Sequence, residues 1–126
     1  MQVFIHYFLH FGLPLLLAIL FFKKKWKKAY LIFISTMLID LDHLFANPIF
    51  DANRCSINFH PLHTYYAFAV YILLIFLRKP FNIIGIGLVL HIITDLIDCL
   101  IMYSNCTKCF EHAPSLNLLQ YLSNTI

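Results

Sequence analysis

The chain has 126 residues and a formal net charge of +3, and it is 61% hydrophobic but only 12% charged. A soluble domain of this length cannot bury so much apolar surface. The composition therefore excludes an ordinary soluble domain and predicts a protein surrounded by lipid. The positive charge indicates orientation in a membrane and does not indicate nucleic-acid binding.

Four apolar segments are long enough to cross a bilayer as helices, at residues 3–22, 29–46, 61–77 and 81–103. They lack the alternation of barrel strands, so the predicted fold is all-α. The connections at 23–28 and 78–80 are short, which makes each flanking pair of helices antiparallel neighbours. We therefore expect residues 1–126 to form one transmembrane domain, a polytopic antiparallel four-helix bundle. Residues 104–126 are predicted to be a surface segment with a short C-terminal interfacial helix.

Basic residues are concentrated in the two short connections. The first holds Lys23, Lys24, Lys25, Lys27 and Lys28, and the second holds Arg78 and Lys79. Because cytoplasmic loops carry an excess of Lys and Arg, both connections are predicted to be cytoplasmic, with both termini and the loop at 47–60 facing outward. The positive charge follows the first apolar run instead of preceding it, so this run is expected to stay in the mature protein.

Histidines and aspartates interrupt the apolar segments in their outward halves only. They are His6, His10, Asp40, Asp42, His43, His60, His63, His91, Asp95 and Asp98. Spacings of three or four residues place them on one polar face of each helix. With a rise of about 1.5 Å per residue along each helix, four of these residues lie at a similar depth in the membrane and form a first tier: His10, Asp40, His91 and Asp95. The same rise puts a second tier about one turn further out, His6, His43, His63 and Asp98.

So many buried acids need compensation. An Asp at the centre of a membrane helix costs about 2.5–3.5 kcal/mol, and the basic connections lie at the opposite face. Imidazole and carboxylate together suit zinc, iron or manganese. We therefore predict one to three divalent transition-metal ions, with zinc as first choice, bound by His10, Asp40, His43, His60, His63, His91 and Asp95. A proton-relay network of protonated carboxylates is the alternative.

Three polar residues are predicted to support the ligands or to lie at their edge. On a regular helix Asp42 points nearly opposite to Asp40, so it is expected to cap the helix, bind at its end or face the outer loop. Asp98 is expected to orient an imidazole, and either Asp42 or Asp98 to move a proton in catalysis. His6 is left out of the predicted ligand set because it lies near the membrane surface.

The cysteines indicate the compartment. Cys55, Cys106 and Cys109 all fall on the outward side, where an oxidising space permits disulfides. We expect Cys55 to pair with Cys106 or Cys109. The alternative is that Cys106 and Cys109 form half of a zinc site or stay free thiols, and Cys99 is expected only to pack within its helix.

Three strings carry a family resemblance: STMLIDLDHLFANPIFDANRC, FHPLHTYY and GIGLVLHIITDLIDCLI. They resemble a family of small, uncharacterised membrane proteins of Bacteroidetes, over roughly residues 1–103. The resemblance implies a multi-pass protein of the bacterial inner membrane.

An early histidine, an Asp-x-Asp-His run and a His-x-x-x-Asp element are more distantly similar to the YdjM-like membrane-bound metal-dependent hydrolases. Those in turn are similar to zinc-dependent phospholipases C and single-strand nucleases. The likeness implies metal-ligand roles for six residues, His10, Asp40, His43, His63, His91 and Asp95. The chain departs from the YdjM-like His-Arg-Gly-x-Thr-His-Ser at His60-Pro61-Leu62-His63-Thr64, which is two residues shorter between its histidines.

Together these features predict a membrane-embedded, metal-dependent hydrolase that acts on a phosphoester-containing lipid near the outer leaflet. A transporter or channel for metal ions or protons is one alternative, although four helices are few for alternating access. A haem or di-iron redox protein is another. The expected partners are membrane lipid and a second copy of the chain in a homo-oligomer, without nucleic acid.

Overall fold

The computed structural model describes residues 2–49, 51 and 53–126, and the described chain is all-helical. Its first half consists of α1 (Gln2–Tyr7), a π-helical turn (Phe8–Gly12), α2 (Leu13–Phe22), a 3₁₀ turn (Lys23–Lys25), α3 (Trp26–Ser35) and a 3₁₀ helix (Thr36–Phe45). Its second half consists of a 3₁₀ turn (Pro61–His63), α4 (Tyr65–Ile75), α5 (Phe81–Asn105), a 3₁₀ turn (Thr107–Phe110) and α6 (Leu116–Thr125).

The helices pack as antiparallel neighbours, as the short connections predict. The chain reverses at Lys23, which has a φ of 38°, so that α2 packs against α3, and α4 packs against α5. The two basic connections lie at the same end of the bundle, because Lys25, Lys28 and Lys79 line one cavity of about 600 Å³. The predicted polar residues of α1 and α5 lie toward the other end.

Two glycines let the helices approach α5 closely. A β-carbon at Gly85 would lie 2.8 Å from the backbone nitrogen of Ile75 in α4. A β-carbon at Gly87 would lie 2.8 Å from Cγ2 of Thr36, where the 3₁₀ helix begins. Small residues at helix contacts are typical of membrane bundles, since they allow backbones to pack together.

Helix boundaries differ from the predicted ones mainly around the third helix. Pro61 starts only a single 3₁₀ turn, and α4 begins at Tyr65, where the Thr64 side chain caps it by accepting the N–H of Ala67. The third helix is therefore eleven residues long instead of spanning 61–77. The helical run Val3–Phe45, which folds back at Lys23, and α5 are long and apolar enough to cross a membrane.

The C-terminal segment is part of the core. Phe110 and Leu119 have no exposed surface, and they pack in one apolar cluster with Leu88, Ile92 and Cys99 of α5. The predicted segment at 104–126 contains the expected short C-terminal helix, α6, and this helix also buries Leu119 in the cluster with α5.

Two disulfides are present, and the predicted pairing of Cys55 is wrong. Cys55 is bonded to Cys99, with their Cα atoms 5.2 Å apart, and Cys106 is bonded to Cys109. Cys99 faces the interior of the bundle, where it is 1% exposed, and the loop that carries Cys55 folds over this part of α5. Cys99 is therefore a covalent link between the outer loop and α5.

Candidate metal centre

A local break in helical geometry places His10. Pro14 has no N–H, and its ring would collide with the His10 carbonyl in a regular α-helix. The chain forms a π-helical turn here, in which the N–H of Leu13 donates to the carbonyl of Phe8. His10 is 4% exposed, and its Nε2 lies 3.3 Å from Oδ1 of Asp95. Such π-turns occur frequently at functional sites.

The Asp-x-Asp-His run lies in the 3₁₀ helix Thr36–Phe45. With three residues per turn, Asp40 and His43 stand one above the other, and Asp42 is rotated about 120° from both. The predicted opposition of Asp40 and Asp42 is therefore wrong, because it assumed a regular α-helix. Asp42 is only 3% exposed, and it turns inward.

The first group of converging side chains, called here the central group, consists of Asp40, His63, His91 and Asp95. Nε2 of His63 lies 3.0 Å from Oδ2 of Asp95, and Nε2 of His91 lies 3.1 Å from Oδ1 of Asp40. One ligand atom from each residue lies within 4.8 Å of the others. His63, His91 and Asp95 are buried, whereas the Asp40 side chain is 43% exposed and can be reached from outside.

The second group, called here the α1 group, consists of His6, His10 and Asp98. Nδ1 of His6 contacts Oδ2 of Asp98, and the rings of His6 and His10 lie 4.4 Å apart. Asp95 joins this group to the central group, because its Oδ1 faces His10 while its Oδ2 faces His63.

The third group, called here the loop group, consists of Asp42, His43 and His60. The His43 and His60 rings stack with their centres 3.9 Å apart, and Nδ1 of His43 lies 3.2 Å from Oδ1 of Asp42. Burial of its ring, together with the nearby His43, lowers the pKa of His60 to about 4. His60 is therefore neutral near pH 7, and a neutral imidazole is the form that binds metal.

Ser56 is a member of the site that the sequence analysis missed. Its hydroxyl lies 3.0 Å from Nε2 of His43. No local pattern marks this serine, because its contact with His43 depends on how the loop at 47–60 folds back.

Each group contains a buried polar atom without a hydrogen-bond partner in the described chain. These atoms include His91 Nδ1 in the central group, Asp98 Oδ1 in the α1 group and His60 Nε2 in the loop group. Unpartnered buried polar atoms destabilise a fold, and oxygens without a donor are what a cation would satisfy. The donor set, imidazole with carboxylate, fits a divalent transition metal. These buried His and Asp groups could therefore hold metal ions.

The structure brings all the predicted site residues into these three groups, and His6 joins them. The predicted two-tier arrangement differs in three places, one of which is that His43 groups with Asp42 and His60. His63 belongs with Asp40, His91 and Asp95, because the 3₁₀ turn ending at His63 points its ring inward, and His10 shares a group with His6. Metal binding by each residue stays a prediction.

An open cleft of about 530 Å³ gives access to the groups from outside. Its lining includes His6, Asp95 and Asp98 on one side and His43 and His60 on the other. A molecule in this cleft would contact parts of all three groups.

Comparison with known proteins returns a family without an assigned function. No curated protein and no solved structure matches the chain. Residues 1–102 match DUF6122, a family of unknown function. The matched region contains all three His/Asp groups and excludes α6. Because the match covers most of the chain, this protein belongs to the DUF6122 family.

Proposed function

We propose that this protein is a membrane-embedded, metal-dependent hydrolase that cleaves a phosphoester-containing lipid near the outer leaflet. The observation that carries the proposal is the joining of three His/Asp groups around one accessible cleft. Asp95 links the central and α1 groups, and Asp42 of the loop group contacts His63 of the central group. Sites with adjacent metal ions are suited to phosphoester displacement, since they stabilise both the attacking and the leaving oxygen.

A membrane location is supported by the outer surface of the bundle. Large apolar side chains on several helices are exposed, among them Leu20, Phe21, Leu31, Leu73 and Phe76. Soluble monomers rarely expose apolar patches on this scale. The antiparallel helices therefore form a four-helix bundle in the bacterial inner membrane, with the basic connections cytoplasmic and both termini outward. The two disulfides agree with an outward, oxidising location for the site.

Zinc is the proposed metal, in one to three sites. His10, Asp40, His43, His60, His63, His91 and Asp95 would hold it, with His6 added to the set by its place beside His10. Bound zinc would supply a water of lowered pKa and positive charge toward the phosphoryl oxygens. The YdjM-like resemblance of the metal-ligand pattern agrees with this chemistry.

The chain's own residues would position and move protons. Asp42 fixes the orientation of His63 through Nδ1 and so directs Nε2 toward the central group. Asp98 contacts His6, whose side chain is 44% exposed at the cleft. This pair can pass a proton between the buried α1 group and the outside.

Packing beneath the site favours a hydrolase over a transporter. On the side of the basic connections, the central group borders a cavity of only about 10 Å³, which is room for about one water. Gly87 brings α5 against Phe33 and Thr36 there. Gly85 and Gly87 thus serve close helix packing and do not break the helix, since α5 is continuous from Phe81 to Asn105.

The experiment that tests the proposal measures metal and activity on the same samples. Full-length protein in detergent is analysed for bound metal and then assayed for release of the headgroup or of phosphate from phospholipid vesicles, with His91→Ala as the site variant and His112→Ala as its control. We expect bound zinc and phosphoester cleavage in the native chain and the control, and loss of both in His91→Ala. A native chain that binds no metal, even after reconstitution with zinc, would contradict the proposal.

A further inference from the structure

We propose that Arg54 binds the phosphate group of the substrate and thereby selects phosphoesters over uncharged esters. This inference rests on the proposed hydrolase function. Arg54 lies in the loop between the 3₁₀ helix and His60, outside the residues that could hold metal, and it lines the same cleft as His43, His60 and Asp98.

The guanidinium of Arg54 is held in place by contacts that leave most of its donors free. One terminal nitrogen donates to the carbonyl of Ile49 at 2.7 Å, and the guanidinium carbon lies 5.1 Å from the centre of the Phe59 ring. These contacts fix the side chain along the wall of the cleft. A guanidinium has five N–H donors, so the remaining ones are available to a ligand.

The charge of Arg54 is not neutralised by the protein. Among the described residues, every ion pair joins a histidine to an aspartate, and Arg54 takes part in none. The side chain therefore has no carboxylate partner that a bound anion would have to displace. The planar fork of Arg matches two oxygens of a phosphate, a geometry that Lys cannot reproduce.

Arg54 is also the sole cationic Lys or Arg side chain that lines this cleft within the described chain. The seven basic residues of the connections lie at the opposite end, and Lys108 lies in the 3₁₀ turn after α5. A neutral ester could accept a hydrogen bond from Arg54 but has no negative charge to pair with the guanidinium. A phosphoester would be held between Arg54 on the loop side and the metal-binding side chains below.

The rest of the cleft lining includes apolar side chains, at Val3, Ile49 and Met102, together with the polar side chains of Tyr7, Asp51 and Ser56. The apolar part of the lining suits a phosphate that is attached to a lipid chain. A soluble phosphomonoester shares the same anionic group, so both sources are included as separate arms of the test.

The test uses zinc-loaded, full-length protein in detergent, with inorganic phosphate as the binding probe. We expect Arg54→Gln to weaken phosphate binding by about tenfold or more, since glutamine removes the charge and the paired N–H donors that would hold the phosphate. Arg54→Lys should restore part of the affinity for phosphate, because lysine keeps the positive charge but cannot donate two parallel hydrogen bonds. Lys108→Gln, which removes the other outward-side cation, should bind phosphate as the native chain does.

Metal content and melting temperature are measured in parallel, because a purely structural Arg54 would change both. Equal phosphate affinity in Arg54→Gln and the native chain, at equal metal content, would overturn the inference. So would an Arg54→Gln protein that loses its zinc, since Arg54 would then act on folding. The same variants are assayed on phosphatidic acid vesicles and on glycerol phosphate to distinguish lipid from soluble substrates. If Arg54→Gln impairs phosphate binding while the native chain cleaves neither, Arg54 is a phosphate-binding residue and the two phosphomonoesters are not substrates, so selection of a substrate by Arg54 is overturned.

Discussion

Asp42 and His63 lie side by side in the interior, with Oδ2 of the carboxylate 3.0 Å from Nδ1 of the ring. The same oxygen accepts the backbone N–H of Leu62 at 2.8 Å, so the carboxylate is fixed from two directions. A proton on Nδ1 donated to Asp42 leaves the lone pair of His63 on Nε2, which faces Asp95. This is the arrangement that metal-binding proteins use to orient a histidine ligand.

The first prediction concerns this orientation. Asp42→Asn keeps the shape of the side chain but removes the charge that holds His63 in the required tautomer. We expect zinc affinity to fall about 10–100-fold, the usual effect of losing such a supporting carboxylate. Competition with a chromophoric chelator measures the change. Glu111→Gln removes a charge from an exposed position after α5 and should leave zinc affinity unaltered.

The second prediction separates metal binding from a proton relay at Asp95. This residue is 6% exposed and faces histidines from both the central and the α1 groups. If it binds metal, Asp95→Asn should lower metal content and melting temperature together, because metal binding and folding are linked. A proton relay predicts the reverse for stability, since asparagine avoids the desolvation cost of a carboxylate buried without a metal ion. A more stable Asp95→Asn protein that is as metal-free as the native chain would therefore rule out the metal site.

Much of the fold follows from the sequence by simple rules. The lengths of the apolar runs and the two short basic connections predict antiparallel neighbours with both basic connections at one end, and this is found. The i, i+4 spacing of His91 and Asp95 also predicts their common face correctly, because α5 is a regular α-helix there.

Features that depend on departures from α-helical geometry could not be predicted. Asp42 turns inward because residues 36–45 form a 3₁₀ helix, and His63 points into the central group because Pro61–His63 is a separate turn. Predictions of side-chain direction that assume 3.6 residues per turn fail at such places. The Cys55–Cys99 bond depends on the path of a long loop, which local sequence does not determine.

The third prediction is topological. Because Lys25, Lys28 and Lys79 meet at one end of the bundle, a single orientation must account for both basic connections. A reporter fused after Ile126 should read as external, and one inserted in Lys23–Lys25 as cytoplasmic. Labelling of a single cysteine introduced at either site in intact cells offers an independent readout, because the native cysteines are all in disulfides. Cytoplasmic signals from the C-terminal fusion would place the cleft on the inner leaflet and contradict the outward assignment.

The last prediction concerns the bond between Cys55 and Cys99, which ties the outer loop to α5. These residues are 44 apart in sequence, so the chain-entropy estimate for the bond is about 4 kcal/mol of stability. Replacing both by serine should lower the melting temperature and also reduce metal content, because the freed loop carries His60 and the Ser56 partner of His43.

The matched control is the double serine variant of Cys106 and Cys109. These residues are only three apart, so the chain-entropy estimate for their bond is about 2 kcal/mol of stability. This second bond holds no residue of the three groups, so its loss should leave metal content intact. Thermal melts and metal analysis of both variants, with and without reductant, measure the difference in stability and in metal content. Equal metal loss in the two variants would show that the outer loop does not organise the site.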